Sequence, residues 1–358
     1  MTNRLRPAAL SILLLAACAE DASQTPSADD ATAPPAAPAG PAVVRSSLTL
    51  GTFDGAVTDL ALYEAPAFGF QGAVIAANDT AGIAVIRVDG GDATNWIPDP
   101  LVQRLDITYA IDADAGSILA LSNGGNLTAY ALDGTALTSI DVPGGNADDI
   151  CASGNLAAVL VDGDIQIVEV GTDNDGQATL SLGTLIEVGV ADACDATGSG
   201  FFFTDAETQR TLDSEGNLET APEIGITEPV ISSGGQAVGV SGINGMLSVN
   251  GTSLLVQTAD DTPVLPRLVE ATGGNYGGVL RDGAVLVLDD NNTLHLIPWS
   301  GAATAVGIQP VSDSKRPTEM MLPDTIELPP AAEQAPAFTP ELEGPQFEVL
   351  EPPAPPGQ

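Results

Sequence analysis

The 358 residues carry 48 acidic against 10 basic side chains, a formal charge of −38 and a pI near 4.1. A chain this acidic has no basic stripe with which to displace condensed counterions, so nucleic acid is excluded as a partner, and anionic lipid headgroups repel it. The acidity suits a solvated surface in a salty environment, a set of divalent-cation sites, or both.

In chain order, residues 1–18 (MTNRLRPAALSILLLAAC) have a basic start at Arg4 and Arg6 and an apolar core from Ala8 to Ala17, too short for a permanent bilayer span. This reads as an export signal. Leu15-Ala16-Ala17-Cys18 resembles the bacterial lipobox, which implies cleavage before Cys18 and lipidation of its thiol. The expectation is an exported bacterial lipoprotein, membrane-anchored in the periplasm or at the cell surface. Residues 19–45 are rich in Ala, Pro, Ser, Thr and Asp and cannot bury enough apolar surface to fold, so they form a disordered tether.

From Ser46 to Ser312 the pattern is short strands. Apolar runs opened by a small residue begin near Gly72, Gly116, Asn155, Gly200, Gly235 and Gly283, at intervals of 35 to 48 residues. A second strand follows each, best seen at Gly82, Gly125, Gly163, Gly245 and Asn292. Within Gly116–Ser153 the runs are separated by Asp133-Gly134 and Pro143-Gly144-Gly145, residues that make turns, so the repeat unit is a four-stranded meander. Copies of such a meander bury both faces by radial repetition. The expectation is an all-β chain, a six-bladed β-propeller of four-stranded antiparallel blades over 46–312. Ser46–Phe53 has no earlier partner and is expected to close the ring by pairing beside Asn292–Pro298. Residues 313–358, with 11 prolines and repeated acids, read as a disordered tail from which Phe338 and Phe347 could dock.

The cysteines left after Cys18 are Cys151 and Cys194, 43 residues apart in the similar contexts ADDICAS and VADACDA. On inner strands of adjacent blades they would face each other. A bridge and two buried free thiols both remain open. Asp173-Asn174-Asp175-Gly176 reads as a hairpin loop, since a calcium loop would need a glutamate at the proper distance. His295 alternates with Leu294 and Leu296 and reads as a side chain turned from the apolar face, and Trp96 and Trp299 read as blade packing.

Several segments in order, ANDTAGIAVIRVDGG (77–91), RLDITYAI (104–111), SILALSNGG (117–125), ADDICAS (147–153), VADACDATGSGFFFTDAE (190–207) and TLHLIPW (293–299), resemble the β-propeller phytases. The resemblance implies six blades, calcium as cofactor and hydrolysis of phosphomonoesters between a cationic cradle and metal-activated water. The chain departs from it where that cradle should be. Expected lysines fall on Asp79 and Thr80, an expected arginine on Gly124, a lysine is absent near Val161-Asp162-Gly163, and a tyrosine is replaced in the Asp148-Asp149 region. The acids that survive are Asp59, Asp106, Asp192, Glu228 and Asp290, of which Asp59, Asp192, Glu228 and Asp290 are the expected metal ligands, gathered at one end of the channel. Two readings follow: a non-catalytic, calcium-binding or partner-binding scaffold, or a residual calcium-dependent phytase acting on a phosphorylated small molecule.

Overall fold

The computed structural model describes residues 40–316 apart from 66–70, 91–93, 100, 145–146, 190, 192, 198–199, 205–208, 214–217, 221–229, 234–235, 312 and 315. Two short strands, β1 (Ala42–Arg45) and β2 (Leu48–Thr52), precede the repeats. Sheet I is β3 (Val57–Tyr63), β4 (Ala73–Asn78), β5 (Gly82–Arg87) and β6 (Thr94–Ile97). Sheet II is β7 (Val102–Thr108), β8 (Ser117–Ser122), β9 (Asn126–Ala131) and β10 (Ala136–Asp141). β11 (Ala147–Ser153), β12 (Leu156–Val161), β13 (Asp164–Thr172) and β14 (Ala178–Ile186) make sheet III. Sheet IV follows with β15 (Ala193–Thr197), β16 (Gly200–Thr204), β17 (Gln209–Asp213) and β18 (Leu218–Thr220). β19 (Val230–Ser233), β20 (Gln236–Ile243), β21 (Met246–Val249) and β22 (Thr252–Gln257) form sheet V, with β23 (Pro263–Val264) beside β22. β24 (Pro266–Thr272), β25 (Ala284–Asp289) and β26 (Thr293–Pro298) form sheet VI, and a seven-residue helix, α1 (Trp299–Ala305), ends the repeats.

Within each sheet successive strands pair antiparallel, as short loops dictate. Asp162-Gly163, Asn244-Gly245 and Asn250-Gly251 each join two strands with both residues at positive φ (54° and 83°, 53° and 72°, 49° and 77°), the two-residue turn whose twist matches the flanking strands. The innermost strands touch in cyclic order, β3 to β7, β11, β15, β19, β24 and back to β3. This is a β-propeller.

Its core is a series of wedges between consecutive sheets. Val285, Val287 and Ile297 join the cluster shared with sheet V, whereas Ala284, Leu286 and Leu288, on the opposite face of the same strand, join the cluster shared with sheet I. Comparable wedges lie between I and II, II and III, and III and IV. Burial on both faces explains why middle strands such as β4 (AVIAAN) and β25 (AVLVLD) are apolar runs with every residue buried, while the outermost β10 alternates toward solvent.

β2 pairs antiparallel with β26, Leu48 opposite Leu296 and Thr49 opposite His295, where the sequence places the closing strand. Order begins earlier than the expected tether boundary at residue 45, because β1 pairs parallel with β22, Ala42 opposite Leu254 through Arg45 opposite Gln257. Ser46 donates its N–H to Gln257 at 2.8 Å and Ser47 to Leu296 at 2.8 Å. One short arm therefore stitches the edges of sheets V and VI. Val44 enters their shared wedge beside Trp299 and Ala302 of α1, so the inward face of the seam is covered.

His295 corrects its sequence reading. It is buried at 3% exposure between Asp289, whose Oδ2 lies 3.3 Å from Nε2, and Thr49, whose Oγ1 lies 3.2 Å from Nδ1. Alternation with two leucines would turn a polar side chain outward from a one-sided sheet, but here the second face is packed too, and two partners make burial tolerable. Trp299 packs in the core as expected, whereas Trp96 is 40% exposed on β6, an outermost strand. Asp173 closes the β13–β14 hairpin by accepting the N–H groups of Asp175 and Gln177 at 2.9 and 2.8 Å.

Candidate functional site in the channel

The inner strands β3, β7, β11 and β15 enclose, with β16 and β24, a cavity of about 160 Å³. Six carboxylates (Asp59, Asp106, Asp148, Asp149, Asp195 and Glu270) and one guanidinium, Arg104, line it. Three of the carboxylates repeat a single geometry. Asp59 accepts the N–H of the next residue, Leu60, at 2.9 Å through one oxygen and that of Leu105 on β7 at 2.8 Å through the other. Asp106 likewise holds Ile107 N–H at 2.7 Å and Ala152 N–H on β11 at 2.7 Å. Asp149 holds Ile150 N–H at 2.9 Å and Cys194 N–H on β15 at 2.9 Å. Asp195 continues the local half, accepting Ala196 N–H at 2.7 Å.

β3, β7 and β11 thus each grip the next inner strand through a side chain, because these strands form no backbone ladder with one another and their N–H groups require acceptors. Register shifts just before Asp59 and Asp149 accompany their bonds, and β7 carries the same shift before Arg104. The disulfide between Cys151 and Cys194, with Cα atoms 5.9 Å apart, reinforces the β11–β15 joint beside the Asp149 bond.

Arg104 is held by main chain. Its Nε donates to the carbonyl of Asp148 at 2.8 Å and its Nη1 to those of Gln103 at 3.1 Å and Thr58 at 3.4 Å, while Asp149 Oδ1 lies 3.9 Å from Nε. One cation among so many acids leaves charge uncompensated. Burial pushes the Asp59 carboxyl well above the usual carboxylate range, and the charge of Asp149 adds to the shift. Burial also raises Asp149, against the lowering effect of its two N–H donors and of Arg104. Beside the ladder, Thr58 Oγ1 is a buried hydroxyl without a hydrogen-bond partner.

Of the expected metal ligands, Asp59 lines the cavity. Asp290 shares that end of the ring, since Asp289 stands opposite Pro266 at the start of β24, but it is exposed in the β25–β26 turn outside the lining. Asp192 and Glu228 lie outside the described residues, as do Cys18, Phe338 and Phe347. Calcium takes about six to eight oxygen ligands. In Asp59, Asp106 and Asp149 one oxygen already accepts the next residue's N–H and the other an N–H of the neighbouring strand, so each carboxylate serves the ring before any cation. Among the described residues no group of three or more His, Cys, Asp or Glu side chains is placed to hold a metal. Asp79, Thr80 and Gly124, where the resemblance would place cations, sit in exposed turns, and Asp79 instead accepts Ala56 N–H at 3.1 Å. The residues missed by sequence reasoning are Arg104, Asp148, Asp149, Asp195 and Glu270. The signal available was recurrence: Asp59, Arg104 and Asp149 occupy the same position on β3, β7 and β11, just after a register shift.

No family model matches the chain, and no curated protein matches it. Among solved structures it is similar to BBS1N, crystallised in complex with ARL6DN, and to the N-terminal domain of Nup159. Two BBS1N structures, soaked with mercury and with lead, give TM-scores of 0.32 and 0.37 at 12% and 11% identity. They cover 68% and 73% of this chain, which spans 65% of the first BBS1N chain and 67% of the second. The Nup159 domain gives 0.38 at 11% identity, over 63% of this chain and 72% of its own.

Proposed function

We propose that the chain is an exported, lipid-anchored β-propeller that serves as a non-catalytic, partner-binding scaffold at a membrane surface. The observation that carries this reading is the state of Arg104. Phosphoester hydrolysis requires donors aimed at developing negative charge. The guanidinium in this lining donates instead to the carbonyls of Asp148, Gln103 and Thr58, and the lining offers a phosphate six acids in place of a cationic cradle. A formal charge of −38 favours a protein partner that presents cations. The anchor reading rests on Leu15-Ala16-Ala17-Cys18.

The test is phosphate release from calcium phytate by the full chain, run beside an active phytase, together with membrane fractionation of the wild type and Cys18→Ser. The expected result is no release above the buffer blank and loss of Cys18→Ser from the membrane fraction. Release at a rate comparable to the control enzyme would restore the hydrolase reading, and unchanged fractionation would remove the anchor.

A further inference from the structure

The opposite ends of the inner strands carry a second constellation. Glu64 follows β3 and the loop 273–276 follows β24, so sheets I and VI meet here. Glu64 Oε1 accepts Asn275 N–H at 2.9 Å, and Oε2 accepts the hydroxyl of Ser314, far along the chain. Tyr109 fixes the main chain of Glu64, its hydroxyl accepting Glu64 N–H at 2.9 Å and donating to Glu64 carbonyl at 3.1 Å. Ser314 Oγ in turn accepts Arg316 N–H at 3.0 Å, which bends the segment back on itself.

The loop is shaped for this crossing. A Cβ on Gly273 would overlap the carbonyl oxygen of Asp313, and one on Gly274 would overlap the Glu64 carboxylate. Gly274 has φ +122° and needs glycine for its backbone, but Gly273 is not in the left-handed region, so the missing side chain at 273 answers to the close approach of residue 313. Charge agrees. Burial raises the Tyr63 hydroxyl's pKa, and the charge of Arg316 opposes that rise, so the segment's cation lies within electrostatic reach of the ring.

We propose that Asp313, Ser314 and Arg316 form a releasable strap, clasped by Glu64 across the Gly273-Gly274 groove, on the face of the ring opposite the aspartate ladder. The strap-side bond of Glu64 is separate from its bond to Asn275, so the strap can leave while sheets I and VI stay joined.

Lys315 is the only lysine in the chain, so a lysine-specific endoprotease cuts the full chain at one bond, Lys315–Arg316, next in sequence to Ser314. When opening is fast relative to cleavage, the cutting rate follows the population of the open form. Gly273→Ala, which displaces the strap by overlap alone, is expected to raise that rate about tenfold or more, and Ser314→Ala, which removes the hydroxyl, to raise it also. The melting temperature should stay within about 2 °C of wild type, because the ring is untouched. Wild type cut as fast as both variants would overturn the clasp. Variants whose faster cutting appears only with a matching fall in melting temperature would overturn release independent of the ring. If Gly273→Ala fails to fold, the rate and melting temperature of Ser314→Ala decide alone.

Discussion

Replacing Asp106 by alanine tests the aspartate ladder at its most buried rung. Asp106 is 7% exposed, and the residues whose N–H groups it holds, Ile107 and Ala152, are 5% and 4% exposed. Losing the carboxylate leaves both N–H groups without their acceptor, at about 1–3 kcal/mol each for a buried unsatisfied group. Water entering the adjoining cavity restores part of the loss, so the net cost should be about 2–4 kcal/mol. In a domain of this size that corresponds to roughly 5–10 °C in melting temperature. Denaturant unfolding with a shared m-value for wild type and Asp106→Ala measures it, in the presence of calcium and of a chelator. A bridge between strands predicts the same loss in both. A loss below about 0.5 kcal/mol, or one that vanishes when calcium is chelated, would refute the reasoning and return this carboxylate to the role of metal ligand.

The raised pKa values of Asp59 and Asp149 mean that these groups hold protons in the folded chain at pH values where the unfolded chain has released them. Their contribution to stability is therefore full below about pH 4 and is lost as pH rises through the elevated folded values. Stability should fall between pH 5 and 8, by at most about 1.4 kcal/mol per pH unit for each group, and Asp59→Asn should flatten that slope; a melting temperature that rises across this range would contradict the assignment. Cys151→Ser removes a link closing a loop of 43 residues, for which chain entropy gives about 4 kcal/mol. Denaturation of wild type with and without reductant should reproduce that loss, and a variant as stable as the oxidised wild type would show that the Asp149–Cys194 bond suffices.

The repeat was legible because each sheet is packed on both faces, which forces apolar runs at regular intervals, and because Asx-Gly turns punctuate them. The closing strand was legible for a related reason: β2 had an apolar pattern and no neighbour in sequence. β1 was not, since AVVR follows a Pro- and Ala-rich stretch and its partner, Leu254–Gln257, is remote and parallel. The carboxylates were legible in position but not in role. An aspartate at the channel end of an inner strand looks the same in sequence whether it binds a cation or an N–H of the next strand, and only the spatial step from Asp59 to Leu105, Asp106 to Ala152 and Asp149 to Cys194 tells them apart.

The arm that seals the ring also sets the order of assembly. Thr49 must find His295, 246 positions later, and Ala42–Arg45 must find β22 before that. During synthesis the first strands made wait for the last sheet, so wedges between consecutive sheets can form from local meanders while the circle stays open. Contacts of such long range come late and slowly. The ring cannot close until the last sheet has been made, so the first residues synthesised are the last to lock.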